Sequence, residues 1–209
     1  MSSWACGEAA DPAGVAEVEG VAEAADEVDG EGEPALSPGG APAAVAGQLA
    51  IGSPIDLAIG QIAIDSRTRW LYRRNVLRSL CSSAAGLEES GRLTSPLAAV
   101  LRVRTLREWD RLMVAPRFGF DGPDGYYASE SAASHLPRLA VPGLYVGAEH
   151  DPIVPAETVR PALRRASASL DVRWVRRAGH IGFPANLDIG EPGFVGFEPQ
   201  LLSWLERTG

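Results

Sequence analysis

The chain has 209 residues, 45% of them hydrophobic and 22% charged, a composition ordinary for one good-sized globular domain. Its net charge of -8 is unevenly spread: residues 1 to 66 hold 12 acids and no base, whereas residues 67 to 209 hold 15 acids and 19 arginines, and lysine is absent. No run approaches the roughly eighteen apolar residues of a membrane span, and Met1 to Gly7 lacks the basic and apolar regions of a signal peptide. Cys6 and Cys81 are too few for a disulfide framework and lack zinc-site spacing, so a reducing cytoplasm is the simplest home.

Residues 1 to 41 form an acidic, low-complexity leader. Cys6 to Gly40 is built from small and acidic residues, with near-repeats such as Gly14-Val-Ala-Glu and Gly20-Val-Ala-Glu and no aromatic residue or isoleucine. Such a segment buries too little apolar surface to offset its ordering entropy, so it reads as disordered, with transient helix over Val15 to Val28. Blocks of like charge are mostly solvated, and a solvated leader is preferred to a tail that recruits a basic partner.

From residue 42 the texture changes. Ala43 to Ser53 (AAVAGQLAIGS) is a short apolar run closed by Pro54, the pattern of a buried parallel strand. Asp56 to Asp65 suits a short helix or irregular crossing. Arg67 to Leu80 sets Trp70, Leu71, Val76, Leu77 and Leu80 among arginines, which predicts an amphipathic helix. Pro96 to Met113 reads as a second helical stretch, and the Gly- and Pro-rich Ala115 to Tyr127 as a loop. A strand at Pro142 to Gly147, a helix at Glu157 to Arg165, a strand at Asp171 to Arg176 and a closing amphipathic helix at Phe197 to Glu206 follow. That alternation calls for an α/β fold with a parallel sheet.

The chemistry sits at the ends of the last two strands. In Gly147-Ala-Glu-His-Asp151-Pro-Ile-Val-Pro155 a carboxylate leaves the carboxyl end of a buried strand, and in Ala178-Gly-His180-Ile-Gly-Phe183 an imidazole does the same after the next. Open parallel sheets place ligands at those ends, and neighbouring strands lie about 4.8 Å apart, so the two side chains can meet. A buried carboxylate beside a histidine holds its tautomer and stabilises its charged form, which is the work of an orienting acid and a base.

The order of G-x-x-x-D-x-x-V-P, helix, strand, G-H-x-G-F and helix resembles the C-terminal half of the α/β-hydrolase fold, and more narrowly the YheT-type branch of esterases and lipases. Gly52-Ser-Pro-Ile-Asp-Leu57, Trp70 to Leu80, and Thr105-Leu-Arg-Glu-Trp-Asp110 with Ala115-Pro116, Gly119-Phe120 and Tyr126-Tyr127 resemble the end of that branch's sixth strand and parts of its cap. The resemblance runs from about Pro42 to Leu205 and implies a catalytic acid at Asp151, a base at His180, and a cap over residues 66 to 135 that shapes an acyl pocket. The implied substrate is an acyl-ester small molecule or lipid, with no cofactor or metal. The family's first five strands, oxyanion-hole loop and G-x-S-x-G elbow have no counterpart. The expected fold is therefore a partial α/β-hydrolase: the last three parallel strands, cap helices and flanking helices, with the first five strands missing.

No serine replaces that elbow. Ser37 and Ser53 are both followed by proline, which has no N–H to offer an oxyanion. His135, before Leu136-Pro137, reads as a solvated or capping residue, and His150 as a bystander of Asp151. Arg67 to Arg78, with Trp70 and Tyr72, could meet phosphates or an anionic membrane. The preferred reading is a cap helix whose arginines face water, without nucleic acid as partner, and Arg102, Arg104, Arg107 and Arg111 read as one solvated helix face. A sheet that starts at its sixth strand leaves residues 45 to 53 with an open apolar edge, which predicts low stability and self-association. Three functions stand: an esterase active when another chain supplies the nucleophile, a non-catalytic remnant with an idle acid and base, and an interaction module with an acidic tail. The second is favoured for the isolated chain.

Overall fold

The computed structural model describes residues Gly47 to His180 and Gly182 to Thr208. The acidic leader and the part of the first strand before Gly47 lie outside the described residues. Among those described, the architecture is a three-stranded parallel sheet in the order β1, β2, β3, flanked by helices, which is the partial α/β fold that the strand and helix alternation predicts.

Strand β1 (Gln48–Ile51) pairs with β2 (Gly143–Ala148), which pairs on its other side with β3 (Leu170–Val175), all parallel, with Gln48 opposite Gly143 and Gly143 opposite Leu170. Every residue of the central β2 is buried, as a parallel strand covered on both faces requires. Its side chains alternate. Leu144, Val146 and Ala148 pack with Phe197, Leu201 and Trp204 of α8 (Phe197–Thr208), while Tyr145 on the opposite face packs with Val159, Ala162 and Leu163 of α7 (Ala156–Leu163). Each such aliphatic side chain contributes about 1.5–3 kcal/mol by leaving water. Gln200, fully buried in α8, accepts from the backbone N–H groups of Ile189 and Glu191 and donates to the carbonyls of Leu187 and Gly196, so one side chain moulds the loop that precedes the helix.

Between β1 and β2 the chain builds a cap with its own core. Asp56 caps α1 (Leu57–Ile64) by accepting from the Ile59 N–H. The arginine-rich segment forms a 3-10 turn, Arg67–Arg69, and then α2 (Trp70–Glu89), which ends nine residues beyond the Leu80 limit that the apolar spacing predicts. The helix stops where Gly91, at φ 68°, lets its own N–H reach the Glu88 carbonyl and that of Arg92 reach Leu87, a left-handed cap that glycine adopts without strain. The face of α2 that enters the core carries Leu77, Cys81 and Ala84, which pack on Val100, Val103, Trp109 and Met113. Trp70 and Leu71, expected on that stripe, are instead 50% and 57% exposed.

Two further expectations are corrected. The helical stretch over Pro96 to Met113 is interrupted: α3 (Leu97–Val100) ends, Arg102 to Arg104 run outside any helix, and α4 (Leu106–Trp109) restarts at Thr105, whose hydroxyl accepts from the Glu108 N–H. A π-helical turn over Asp110–Val114 follows, leading into α5 (Ala115–Arg117). Arg102, Arg104, Arg107 and Arg111 therefore do not share a helix face, and Arg107 forms a two-pronged ion pair with Asp124. The supposed loop at Ala115 to Tyr127 contains α5 and the start of α6 (Gly122–Glu130), because Pro123 sits in the first turn, where its missing N–H costs nothing. Tyr127 is buried from that helix and donates to Asp110 at 2.5 Å; burial pushes both the Asp110 carboxyl and the Tyr127 hydroxyl above their ordinary pKa values.

The N–H groups of Gln48 and Gly52 donate toward β2, so those of Leu49 and Ile51 point to the other edge, which no described strand covers. The expected outcome is self-association of the purified chain, read by sedimentation velocity. Ile51→Pro, which deletes an outward N–H and leaves the ladder to β2 intact, should shift the population toward monomer; a wild-type chain that stays monomeric at high concentration would count against edge pairing.

Candidate functional site

Asp151 and His180, distant by 29 positions in the chain, meet at the carboxyl ends of β2 and β3. Asp151 lies on the turn out of β2, where its Oδ1 accepts from the backbone N–H groups of Ile153 and Val154, both at 2.8 Å. Two short bonds to one oxygen fix the carboxylate plane and leave Oδ2 aimed at His180 Nδ1, 2.9 Å away. The Asp151 side chain is 2% exposed and that of His180 29%, so the acid is sealed while the imidazole opens outward. An ionised carboxylate only accepts, so the proton of the shared bond sits on Nδ1 and Nε2 is left as the acceptor.

Neighbours set this geometry. Gly52 follows β1 at φ 58°, and a Cβ there would lie 2.6 Å from the His180 carbonyl oxygen, so only glycine lets the histidine loop rest on the end of β1. Tyr145, buried in β2, donates to the Ser53 carbonyl at 3.1 Å and ties the same corner to the central strand. Burial and the nearby charge of Asp151 push the Tyr145 hydroxyl above its ordinary pKa, which keeps it a donor. From the cap, Arg69 donates to the Pro152 carbonyl and pairs with Glu157 at 3.3 Å, joining the start of α2 to the acid's turn. Arg69 is thus not simply water-facing.

The remaining candidates stay apart. His135 is exposed between two 3-10 turns, and His150 is exposed beside Asp151, whose carboxylate bonds to Ile153, Val154 and His180. Ser53 donates weakly to the Ile51 carbonyl at 3.5 Å, Ser37 lies outside the described residues, and no described hydroxyl or thiol bonds to His180 Nε2. A shallow cleft lined by Glu88, Gly91 and Leu93 to Leu97 contains neither member of the pair. Among the described residues no group of three His, Cys, Asp or Glu is placed to hold a metal ion. Gly52, Tyr145 and Arg69 were missed as positioning groups. Gly52 alone carried a readable signal, a glycine closing an apolar strand before Ser-Pro.

Two substitutions test this geometry, read as the exchange-protected Nδ1–H proton resonance of His180. In Asp151→Asn the amide oxygen keeps the Ile153 and Val154 bonds, so its NH2 faces the imidazole, the other tautomer is selected, and the resonance disappears. Gly52→Ala should weaken the same signal and cost about 1–3 kcal/mol of stability, measured by urea unfolding, through left-handed strain and the clash with His180. An unchanged resonance in both variants would show the pair to be placed differently.

Set against known proteins, the chain matches no family model. It is 30% identical over 115 residues to the Escherichia coli protein YheT, named as an esterase, covering 54% of this chain and 34% of that one. To the monoacylglycerol lipase of Saccharomyces cerevisiae it is 26% identical over 110 residues, 52% of this chain and 24% of the lipase. To the mouse phospholipase ABHD3 it is 26% identical over 84 residues, 40% of this chain and 20% of that enzyme. The alignments span between a fifth and a third of these relatives' lengths. The crystal structure of VinJ superposes with a TM-score of 0.37 and 14% identity, covering 78% of this chain and 58% of that one. The chain is therefore similar, over about half its length, to a portion of several α/β-hydrolase esterases and lipases, YheT among them.

Proposed function

We propose that this chain is the acid and base portion of a carboxylic ester hydrolase. The observation that carries the reading is the buried Asp151 carboxylate held by two backbone N–H groups and bonded to His180 Nδ1 at 2.9 Å, with Nε2 on the open side. In this reading Nε2 takes the proton of a serine hydroxyl as its oxygen attacks the acyl carbon, Asp151 stabilises the imidazolium, and the proton passes to the departing alcohol oxygen as the ester bond breaks. Water then repeats the sequence on the acyl-enzyme and regenerates the serine.

The serine that Nε2 serves stands outside the described residues, and a base without a nucleophile makes no covalent intermediate. In this reading the chain by itself is silent, because Ser37 and Ser53 are each followed by a proline that has no N–H for an oxyanion. The names of its relatives, a monoacylglycerol lipase and a phospholipase among them, support acyl esters of small alcohols or lipids as substrates. The reading takes the cytoplasm as the chain's setting, where the two cysteines of the chain stay reduced.

Labelling with a fluorophosphonate and turnover of a short-chain nitrophenyl ester test this. The purified chain should show neither. Mixed with a polypeptide carrying the nucleophile-bearing part of a YheT-type domain, it should restore both, and His180→Ala should lower that turnover on the order of 10⁴-fold. Turnover by the chain alone that is lost on mutating one of its own serines, or no activity in any mixture, would overturn the proposal.

A further inference from the structure

The cap carries a surface that the acid and base do not use. Of the nine large hydrophobic residues exposed among the described residues, five fall between positions 59 and 72: Ile59, Ile62, Trp70, Leu71 and Tyr72. Ile62 is 68% and Leu71 57% exposed. Around the last three, residues 66 to 87 contain five arginines and no acid. In α2, Leu77, Cys81 and Ala84 enter the cap core, whereas Trp70, Leu71, Tyr72 and Arg78, in its first turns, are exposed. Arg69 and Arg73 are turned inward, the first to Pro152 and Glu157 and the second to the Asp65 and Ser66 carbonyls, while Arg67 and Arg78 are exposed.

We propose that this end of the cap docks on an anionic phospholipid surface. Exposed tryptophan, tyrosine and leucine lose water when they enter the headgroup and acyl boundary, and the amphipathic rings of tryptophan and tyrosine suit that depth. Each arginine beside them is drawn to lipid phosphate. The charge is local: the chain as a whole carries -8, so complementarity to an anionic surface is a property of this segment. The same arginines would suit a nucleic acid. Bases stack on aromatic rings, however, and Leu71, exposed between Trp70 and Tyr72, has no such use, whereas a bilayer accepts it. No described helix is long and apolar enough to cross a membrane, so the contact is with the surface. Because Arg69 ties the start of α2 to the turn that holds Asp151, docking there would bring lipid esters to the acid and base; that consequence, unlike the docking itself, rests on the hydrolase reading.

Flotation of the full chain with phosphatidylcholine vesicles, with and without phosphatidylglycerol, tests the proposal. The chain should float with the anionic vesicles only, and less so at high salt. Trp70→Ser with Leu71→Ser should weaken binding about tenfold or more, and Arg67→Ser with Arg78→Ser by a similar factor. All four side chains are at the surface, so an unchanged thermal transition checks that the variants fold. His180→Ala should float like the wild type, which separates this outcome from any failure of the hydrolase reading. Absence of flotation, equal binding by the variants, preference for single-stranded RNA, or a dimer that the tryptophan and leucine changes convert to monomer would each overturn it.

Discussion

The arrangement of this chain depends on how one buried carboxylate is satisfied. A carboxylate at 2% exposure costs several kcal/mol unless every lone pair that matters has a donor. Asp151 meets that demand with two backbone N–H groups on one oxygen and the His180 ring on the other. The backbone donors come from residues two and three positions ahead, so the turn that holds the acid is made by the acid. Only one direction then remains for Oδ2, and the imidazole must come to it. The central strand, the corner after β1 and the loop after β3 are all fitted around that meeting point.

The fit explains features that look unrelated in the chain. Gly52 has no side chain because the His180 carbonyl passes where a Cβ would be. Tyr145 reaches out of the most buried strand to hold the Ser53 carbonyl, which steadies the corner on which the histidine loop rests. Gln200 shapes the loop between Leu187 and Gly196 from inside, and Glu191 in that loop is buried against Arg173 and Arg207, an ion pair network that binds β3 to α8. The sheet is small, and polar groups fix its loops where apolar area is limited.

The cap is organised on a different principle. Its core is made mostly by helices, around Leu77, Val100, Trp109 and Met113, and it joins the sheet region through polar ties such as Arg69 to Pro152. Asp65 shows how such ties replace regular structure: its carboxylate accepts from the N–H groups of Leu106 and Arg107 and so starts a helix that lies 41 residues away in the chain. Trp70 and Leu71 stay outside that core and follow Arg69, which bonds to the turn of Asp151.

The sheet elements, the closing helices and the placing of Asp151 and His180 after neighbouring strands were legible in the chain because each rests on a local pattern. Runs bounded by turn residues become the parallel strands, though only the central β2 is buried throughout and β1, expected to be buried, is partly open, and Asp151 and His180 lie in the loops after β2 and β3. The cap was legible only in outline. Apolar spacing along Arg67 to Leu80 was read as a single stripe, yet Trp70 and Leu71 point outward, since which part of a stripe is buried depends on the partner that meets it. The glycines and prolines of Ala115 to Tyr127 suggested a loop, although proline in a first turn is as good a start for a helix as it is a stop. What the sequence alone determined was therefore the order of strands and helices and the identity of the two chemical groups. Their separation, the tautomer it selects, the constraint on Gly52 and the exposure of the cap's aromatic end were decided by tertiary structure, because each is a relation between residues far apart in the chain, and no local pattern encodes a distance.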